Sequence, residues 1–173
     1  MSAPSAKLSV LVGNDFACLK IAGRANFTFS PDFKTLLTEL SQKGFSHFII
    51  DLSECVLMDS TFLGVLAGFG MKMNSNGSER RGIELHGPNT RVSELLENLG
   101  ALHLFKVTNG ALQLPDGLQP CVPSPVNASH EEITRTSLEA HQTLMAVNPD
   151  NVARFKDVTQ FLAEDLKNLQ KRC

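Results

Sequence analysis

One stretch of the sequence combines acids and hydroxyls in an arrangement that could support regulation. Asp51 ends an apolar run, and after a short connection Asp59, Ser60 and Thr61 precede an apolar segment of helical character. A phosphate on Ser60 would meet free backbone N–H groups and the positive end of the helix dipole. The simpler interpretation is that the Ser60 hydroxyl is the helix N-cap and accepts a backbone N–H. These residues by themselves leave both interpretations open.

The helix that follows Ser60 is apolar on nearly all of its faces, whereas a helix packed on a sheet needs only one buried stripe. One of its stripes contains Phe62, Leu66, Phe69 and Met73. Either the helix is deeply buried under a later part of the chain, or it offers a hydrophobic docking face that methionine side chains make adaptable. The sequence favours neither alternative.

Motifs that would indicate an enzyme are absent from the sequence. It contains neither a phosphate-cradling glycine loop nor a nucleophile elbow, and no two of its five histidines lie three or four residues apart, as a shared metal site on one helix would require. We therefore expect no enzymatic activity, no catalytic residue, no cofactor and no metal. A catalytic pair assembled from distant positions is the alternative.

The composition excludes several further classes of protein. The chain has 173 residues, 16 of them Lys or Arg and 18 Asp or Glu, so its net charge of -2 argues against nucleic-acid binding. No apolar run reaches the ~18 residues of a membrane span, so we expect no membrane insertion. The widely spaced Cys18, Cys55, Cys121 and Cys173 fit neither a zinc site nor a disulfide framework, and they indicate reduced thiols in a cytoplasmic protein.

Helices and strands alternate along the first two thirds of the sequence. The predicted strands are a hairpin of residues 8–12 and 16–21, followed by residues 45–52, 83–85 and 104–107. The predicted helices begin at Ser30 as N-cap, at Asp59, and at Asn89 or Thr90, and Gly44 and Gly100 end the first and third. This order predicts an α/β fold, with a mixed sheet of four to five strands and helices mainly on one face.

The last third of the sequence has a different character. Residues 115–128 contain four prolines and predict an extended linker. Ser129 then begins one helix with a capping box. The segment Asn148-Pro149-Asp150 ends that helix and starts another, with Asn148 as the N-cap. We therefore divide the chain into an α/β domain (residues 1–114), a proline-rich linker (115–128) and a C-terminal helical hairpin (129–173). Such a hairpin needs a surface to pack on.

The segments D-L-S at residues 51–53 and M-D-S-T-F-L-G-V-L at residues 58–66 resemble the signature of STAS domains. These domains form the anti-sigma factor antagonist family of bacterial partner-switching systems. The loop at Gly23 and Arg24 and the strand–helix–strand segment after residue 82 are also similar to the family, so that the resemblance covers roughly residues 8–110. It implies a STAS-like fold.

The resemblance further implies a switchable protein-binding module rather than an enzyme. In phospho-regulated members, the hydroxyl residue after the motif aspartate is phosphorylated by a serine kinase that is also an anti-sigma factor, and that residue matches Ser60. Thr61 is a second candidate. The unphosphorylated form binds the kinase and frees a sigma factor, and a PP2C-type phosphatase resets the switch. The implied partner-binding residues are Gly23, Arg24, Asp59, Ser60, Thr61, Phe62, Leu66, Phe69 and Met73.

Two features depart from the family pattern. Phe62 replaces the glycine that follows the two hydroxyl residues, so we expect added bulk on the contact helix. The C-terminal hairpin has no counterpart in the minimal domain, and its candidate roles are homodimerisation, covering the Phe62/Phe69 stripe, or recruiting another component. Two other functions remain open: a non-phosphorylated STAS subunit of a transporter ATPase complex, and a small-ligand or nucleotide sensor.

Overall fold

The computed structural model describes residues 6–75, 82–123 and 127–171. The strands in these residues are β1 (Lys7–Val12), β2 (Phe16–Ala25), β3 (His47–Asp51), β4 (Cys55–Met58), β5 (Gly82–His86), β6 (Lys106–Thr108) and β7 (Gln119–Cys121). The helices are α1 (Ser30–Gln42), α2 (Ser60–Ser75), α3 (Thr90–Asn98), α4 (His130–Val147) and α5 (Asp150–Lys171), with a short 3-10 helix at Leu102–Leu104.

The strands form one mixed sheet in the order β6-β5-β3-β2-β1-β7, which confirms the predicted α/β class. β1 pairs antiparallel with β2 and β7, whereas the pairs β2–β3, β3–β5 and β5–β6 are parallel. β4 lies outside this order, in parallel with the last residues of β2. The sequence did not indicate β4 or β7. β7 lies in the proline-rich segment, where Pro120 is tolerated because the strand is at an edge.

The apolar core lies between the sheet and the helices. Alternate residues of the central strands, such as Leu19 and Ile21 on β2 and Ile50 on β3, are completely buried beneath α1, α2 and α3. Since neighbouring residues of a strand point to opposite faces, Ile49 and Asp51 face away from the helices, yet both are at most 7% exposed. The strand β3 is therefore buried on both faces, as predicted.

Helix caps fix how the chain enters each helix. Asn89 caps α3 by accepting the Val92 N–H at 2.9 Å, and Ser129 caps α4 by accepting the Glu132 N–H at 3.1 Å, both as predicted. The prediction of Ser30 as the N-cap of α1 was wrong. Phe29 holds that position, and the buried Ser30 hydroxyl instead donates to the Asn26 carbonyl at 3.1 Å. The turn at residues 26–29 winds directly into the helix, so α1 begins one residue early.

Two further sequence predictions differ from the structure in register. Leu104 belongs to the short 3-10 helix, so the last predicted strand starts at Lys106 rather than Leu104. In α5, Val152 begins a run of apolar residues at three- and four-residue spacing, which predicts that its side chain is buried; it is 42% exposed, while its neighbour Asn151 is completely buried. The buried contact of α5 therefore includes the polar Asn151 in place of Val152, the residue that apolar periodicity indicates.

The C-terminal hairpin packs on the α/β domain of the same chain. Helix α4 lies along α2 and also contacts α1, and α5 packs against α4 in turn. The face of α4 that is turned inward consists mainly of small and polar residues: Ser137, Ala140, His141 and Leu144. Lys34 of α1 and Glu139 of α4 add an ion pair of 2.6 Å at the rim of this contact.

The cysteines in the described residues, Cys18, Cys55 and Cys121, are free thiols, and Cys173 lies outside those residues. The pKa of Cys18 is raised to about 11, mainly by burial and also by the nearby Asp51 charge. Burial also raises the pKa of Cys55. Because thiolates are the reactive form, both buried thiols are expected to be inert at neutral pH.

Within residues 6–75, 82–123 and 127–171, none of the helices has the length and apolar character of a bilayer span. The same residues contain no group of three His, Cys, Asp or Glu side chains that could hold a metal ion.

Candidate functional site

Ser60 lies at the carboxyl end of two parallel strands. The strand β4 ends at Met58, and the Asp59 N–H donates to the Ala25 carbonyl at the end of β2, at 3.0 Å. Helix α2 starts immediately afterwards at Ser60. Ligands of α/β sheets bind beyond the carboxyl ends of strands, and the helix N-terminus adds a positive dipole at this point.

Asp59, rather than Ser60, caps helix α2. Its Oδ1 accepts the Phe62 N–H at 2.8 Å, and its Oδ2 accepts the Phe27 N–H at 2.7 Å. The interpretation of Ser60 as a simple N-cap was therefore wrong, because the aspartate occupies that position and Ser60 is the first helical residue. Burial raises the pKa of Asp59 above its ordinary value, although both N–H donors and the His141 charge oppose this rise.

We expect Asp59→Ala to lower the free energy of unfolding by about 1–2 kcal/mol, because it removes the helix cap and the acceptor of the Phe27 N–H. Urea unfolding followed by far-UV circular dichroism measures this loss. Asp59→Asn is the matched control. It keeps an oxygen acceptor for Phe62 and should lose about half as much. Equal stability of all three proteins would show that Asp59 has no capping role.

The Ser60 hydroxyl contacts a histidine of the C-terminal hairpin. Ser60 Oγ lies 2.8 Å from His141 Nε2, and His141 Nδ1 lies 2.7 Å from the Ser137 carbonyl. A carbonyl oxygen can only accept, so Nδ1 carries a proton and donates it. In the neutral ring, Nε2 therefore accepts the hydrogen bond from Ser60. The hydroxyl that sequence analysis singled out is thus bonded across 81 residues of chain to α4.

A serine bonded to a histidine is also the arrangement of a catalytic nucleophile and its base. Here the histidine is oriented by a backbone carbonyl rather than a carboxylate, and its ring is 5% exposed and packs edge-on against Phe155 at 4.9 Å. The cleft of about 220 Å³ nearby lies between α1, α2 and α4, and neither Ser60 nor His141 lines it. The pair therefore has the contact of a catalytic dyad, and this cleft does not extend to it.

Two glycines bring α2 and α4 close together beyond Ser60. A Cβ atom on Gly64 would clash with the Ala140 carbonyl oxygen, at a distance that real side chains do not reach. Four residues later, a Cβ on Gly68 would lie 3.5 Å from the Thr143 methyl group, which is ordinary contact. The backbones of the two helices thus meet closely only because residue 64 has no side chain.

The apolar residues proposed for partner binding lie in the core. Phe62 and Leu66 are completely buried, and Phe69 and Met73 are at most 8% exposed. The Phe62 ring stacks on Phe33 of α1 at 4.5 Å, so its bulk does not project onto the surface of α2. The expectation that Phe62 adds bulk to the contact face was therefore wrong. The residue fills the space between α1 and α2 instead.

The polar residues proposed for partner binding surround the start of α2. Gly23 has a φ of 87° and donates its N–H to the Glu54 carbonyl, and Arg24 is exposed beside the irregularity in the β2–β4 pairing. Thr61 is only 5% exposed, which disfavours it as a phosphorylation site relative to the partly exposed Ser60. The structure thus places Gly23 and Arg24 at the same end of the sheet as Asp59 and Ser60.

The residues by which the hairpin joins the domain were not predicted from the sequence. His141 has no other histidine at helical spacing, although it follows Ser137 by one helical turn on the inward face of α4. Asn151 was not considered, and its side chain donates to the Leu99 and Leu144 carbonyls at 2.9 and 2.8 Å. A usable signal was the pair of glycines four residues apart, at positions 64 and 68, since interior helix glycines often mark close backbone approach.

Comparisons with known proteins agree with this geometry. The family model described as STAS domain matches residues 7–111, and the chain belongs to this family. An anti-sigma-B factor antagonist of Staphylococcus aureus (strain NCTC 8325 / PS 47) is 28% identical over 92 residues, which are 53% of this chain and 82% of that protein. The anti-sigma-B factor antagonist of Staphylococcus epidermidis is 24% identical over 103 residues, 60% of this chain and 93% of that protein.

Solved structures show the same fold. A putative anti-sigma factor antagonist from Thermotoga maritima aligns with a TM-score of 0.52 and 21% identity, covering 60% of this chain and 86% of that one. The anti-sigma factor antagonist SpoIIAA in its unphosphorylated form aligns with a TM-score of 0.51 and 13% identity, covering 60% and 87%. Helices α4 and α5 lie beyond the residues that the family model matches.

Proposed function

We propose that the chain is a phospho-regulated antagonist of an anti-sigma factor in a bacterial partner-switching pathway of the cytoplasm. In its unphosphorylated form it binds an anti-sigma factor that is also a serine kinase, and the sigma factor is released. The kinase phosphorylates Ser60, which ends the interaction, and a PP2C-type phosphatase restores it. The chain itself acts as a binding module and not as an enzyme.

The observation that carries this proposal is the position of Ser60. Asp59 caps the helix, so the Ser60 hydroxyl is not needed as the N-cap. This hydroxyl lies at the positive end of the α2 dipole. A phosphate there would add a charge of about -1.5 to -2 beside Asp59 and would make the local surface strongly negative. Membership in the STAS family and the anti-sigma factor antagonists among its relatives support the same reading.

The proposed contact surface is centred on residues that are polar or exposed at this end of the sheet. Asp59, Ser60, Gly23 and Arg24 form its centre, and Phe27, which is 48% exposed, adds an apolar side chain next to the Asp59 carboxylate. The buried Phe62, Leu66, Phe69 and Met73 support this surface from below rather than touching a partner. A homodimer through the C-terminal helices would have to use α5, where Phe161 is 69% exposed, because α4 is engaged with α2.

The test is phosphorylation of the full-length chain by the anti-sigma-factor-type kinase of its own genome with ATP. We expect intact-mass spectrometry to show the addition of one phosphate and fragmentation to place it on Ser60. Ser60→Ala should abolish the modification, and Ser60→Asp should weaken kinase binding at least about tenfold through charge repulsion.

Ser53→Ala is the matched control, since Ser53 is an exposed serine in the loop before β4. It should be phosphorylated like the unchanged chain. No phosphate on the unchanged chain, with a kinase shown to be active on another substrate, would contradict the proposal. A stable complex that survives Ser60→Ala without any phosphorylation would favour a permanent STAS subunit of a transporter ATPase instead.

A further inference from the structure

The face of α2 that starts at Ser60 is occupied by the chain's own helix α4. Three contacts recur at four-residue intervals along α2: Ser60 with His141, Gly64 with Ala140, and Gly68 with Thr143. Four-residue spacing places these positions on one side of the helix. The side of α2 that continues the proposed contact surface is therefore covered in the structure by the hairpin.

The gap between the Ser60 hydroxyl and α4 is only one hydrogen bond wide. Ser60 Oγ and His141 Nε2 are 2.8 Å apart, whereas a phosphoryl group would bring three further oxygens to this point. The histidine has little freedom to withdraw, because the Ser137 carbonyl holds its Nδ1 and the Phe155 ring packs against it. A phosphate on Ser60 and a docked α4 thus compete for the same volume.

Charge does not decide the outcome at Ser60. The Asp59 carboxylate, which is the neighbouring group in the chain, would repel a phosphate there. His141 would attract the phosphate once Nε2 took up a proton, so the lack of space at Nε2 is what separates a docked α4 from the phosphate. Undocking of α4 would give it water and the free N–H groups of α2.

We propose that the α4–α5 hairpin is an intramolecular cover of the Ser60 face, and that a docked hairpin and a phosphate on Ser60 exclude each other. The hairpin must leave α2 before a kinase reaches Ser60, and the phosphate keeps it released. This inference rests on the proposed function for its biological meaning. The exclusion itself is a property of the chain alone.

The test uses the full-length chain with phosphoserine at position 60, incorporated during translation by an expanded genetic code. The controls are the unmodified chain and a chain with phosphoserine at position 9, an exposed site on β1. Hydrogen–deuterium exchange is measured by mass spectrometry. We expect the amides of α4 to exchange at least about tenfold faster with phosphoserine at 60 than in either control, while those of β3 and β5 keep their protection.

The rate of disulfide formation between α2 and α4 is a second measurement of hairpin docking. In a chain with Gly68→Cys and Thr143→Cys, and with Cys121→Ser and Cys173→Ser, the new thiols are placed for a disulfide because position 68 faces the Thr143 side chain. Oxidation should join α2 to α4 in the unmodified chain and in the phosphoserine-9 control. It should be at least about tenfold slower with phosphoserine at 60.

Unchanged or increased protection of α4 with phosphoserine at 60 would overturn the inference, and so would an equal loss of protection in β3 and β5. No kinase is needed to install this phosphate. Failure of the exclusion would therefore leave the proposed function standing, and failure of a kinase to modify Ser60 would leave the exclusion result standing.

Discussion

Asn151→Asp is expected to lower the free energy of unfolding by about 3–5 kcal/mol at neutral pH. The Asn151 side chain is completely buried, and its Nδ2 donates to the Leu99 carbonyl at the end of α3 and to the Leu144 carbonyl of α4. An aspartate of the same shape cannot donate when ionised. It would place a buried negative charge against two carbonyl oxygens, and the hairpin would lose its attachment to the domain.

The pH dependence of the free energy of unfolding of Asn151→Asp tests whether the buried charge causes the loss of stability. Burial and the two carbonyls should raise the pKa of the new carboxyl in the folded state. A raised folded-state pKa means that stability is present at low pH and is lost as pH rises through that pKa. We therefore expect urea unfolding to show a smaller deficit at pH 5 than at pH 7, since the protonated acid regains one donor.

The control for Asn151→Asp is Asn168→Asp, which adds the same charge at an exposed position of α5. It should change the free energy of unfolding by less than about 0.5 kcal/mol at either pH. If both variants behaved alike, the two hydrogen bonds of Asn151 would not attach the hairpin to the domain.

Gly64→Ala is the second substitution with a large expected effect. Alanine favours a helix interior over glycine by up to about 1 kcal/mol, so the change should stabilise an α2 helix with open space beside it. Here the added Cβ would meet backbone atoms of Ala140, which cannot rotate away. We expect a net loss of about 1–3 kcal/mol as α4 shifts outward, with faster hydrogen exchange in α4.

Gly68→Ala is the matched control one turn further along α2. Its Cβ would make ordinary contact with the Thr143 side chain, so the variant should be neutral or more stable by up to about 1 kcal/mol. Opposite signs for these two substitutions, measured by urea unfolding, would locate the close approach at residue 64. Equal stabilisation by both would mean that α4 does not pack closely on α2.

Local signals allowed much of the α/β domain to be predicted. Turn residues, helix caps and apolar periodicity act between near neighbours in sequence, so the β1–β2 hairpin, the Asn89 cap and the Ser129 cap follow directly from residue type. The D-S motif and its place between a buried strand and an apolar helix also sufficed to identify Ser60 as the candidate phosphorylation site. The strand β4 escaped prediction because four residues are too few to show a period.

By itself, the sequence determined an α/β domain of the STAS family with an Asp-Ser pair at the start of one helix and a helical extension after it. Only the tertiary structure decided which residue caps that helix, which side of it is buried, and what lies over Ser60. The capping acid Asp59 also accepts an N–H from Phe27, and Ser60 is bonded to His141, 81 positions away. Contacts between such distant residues depend on how the elements pack, and local residue types and spacings do not specify which distant partner each residue meets.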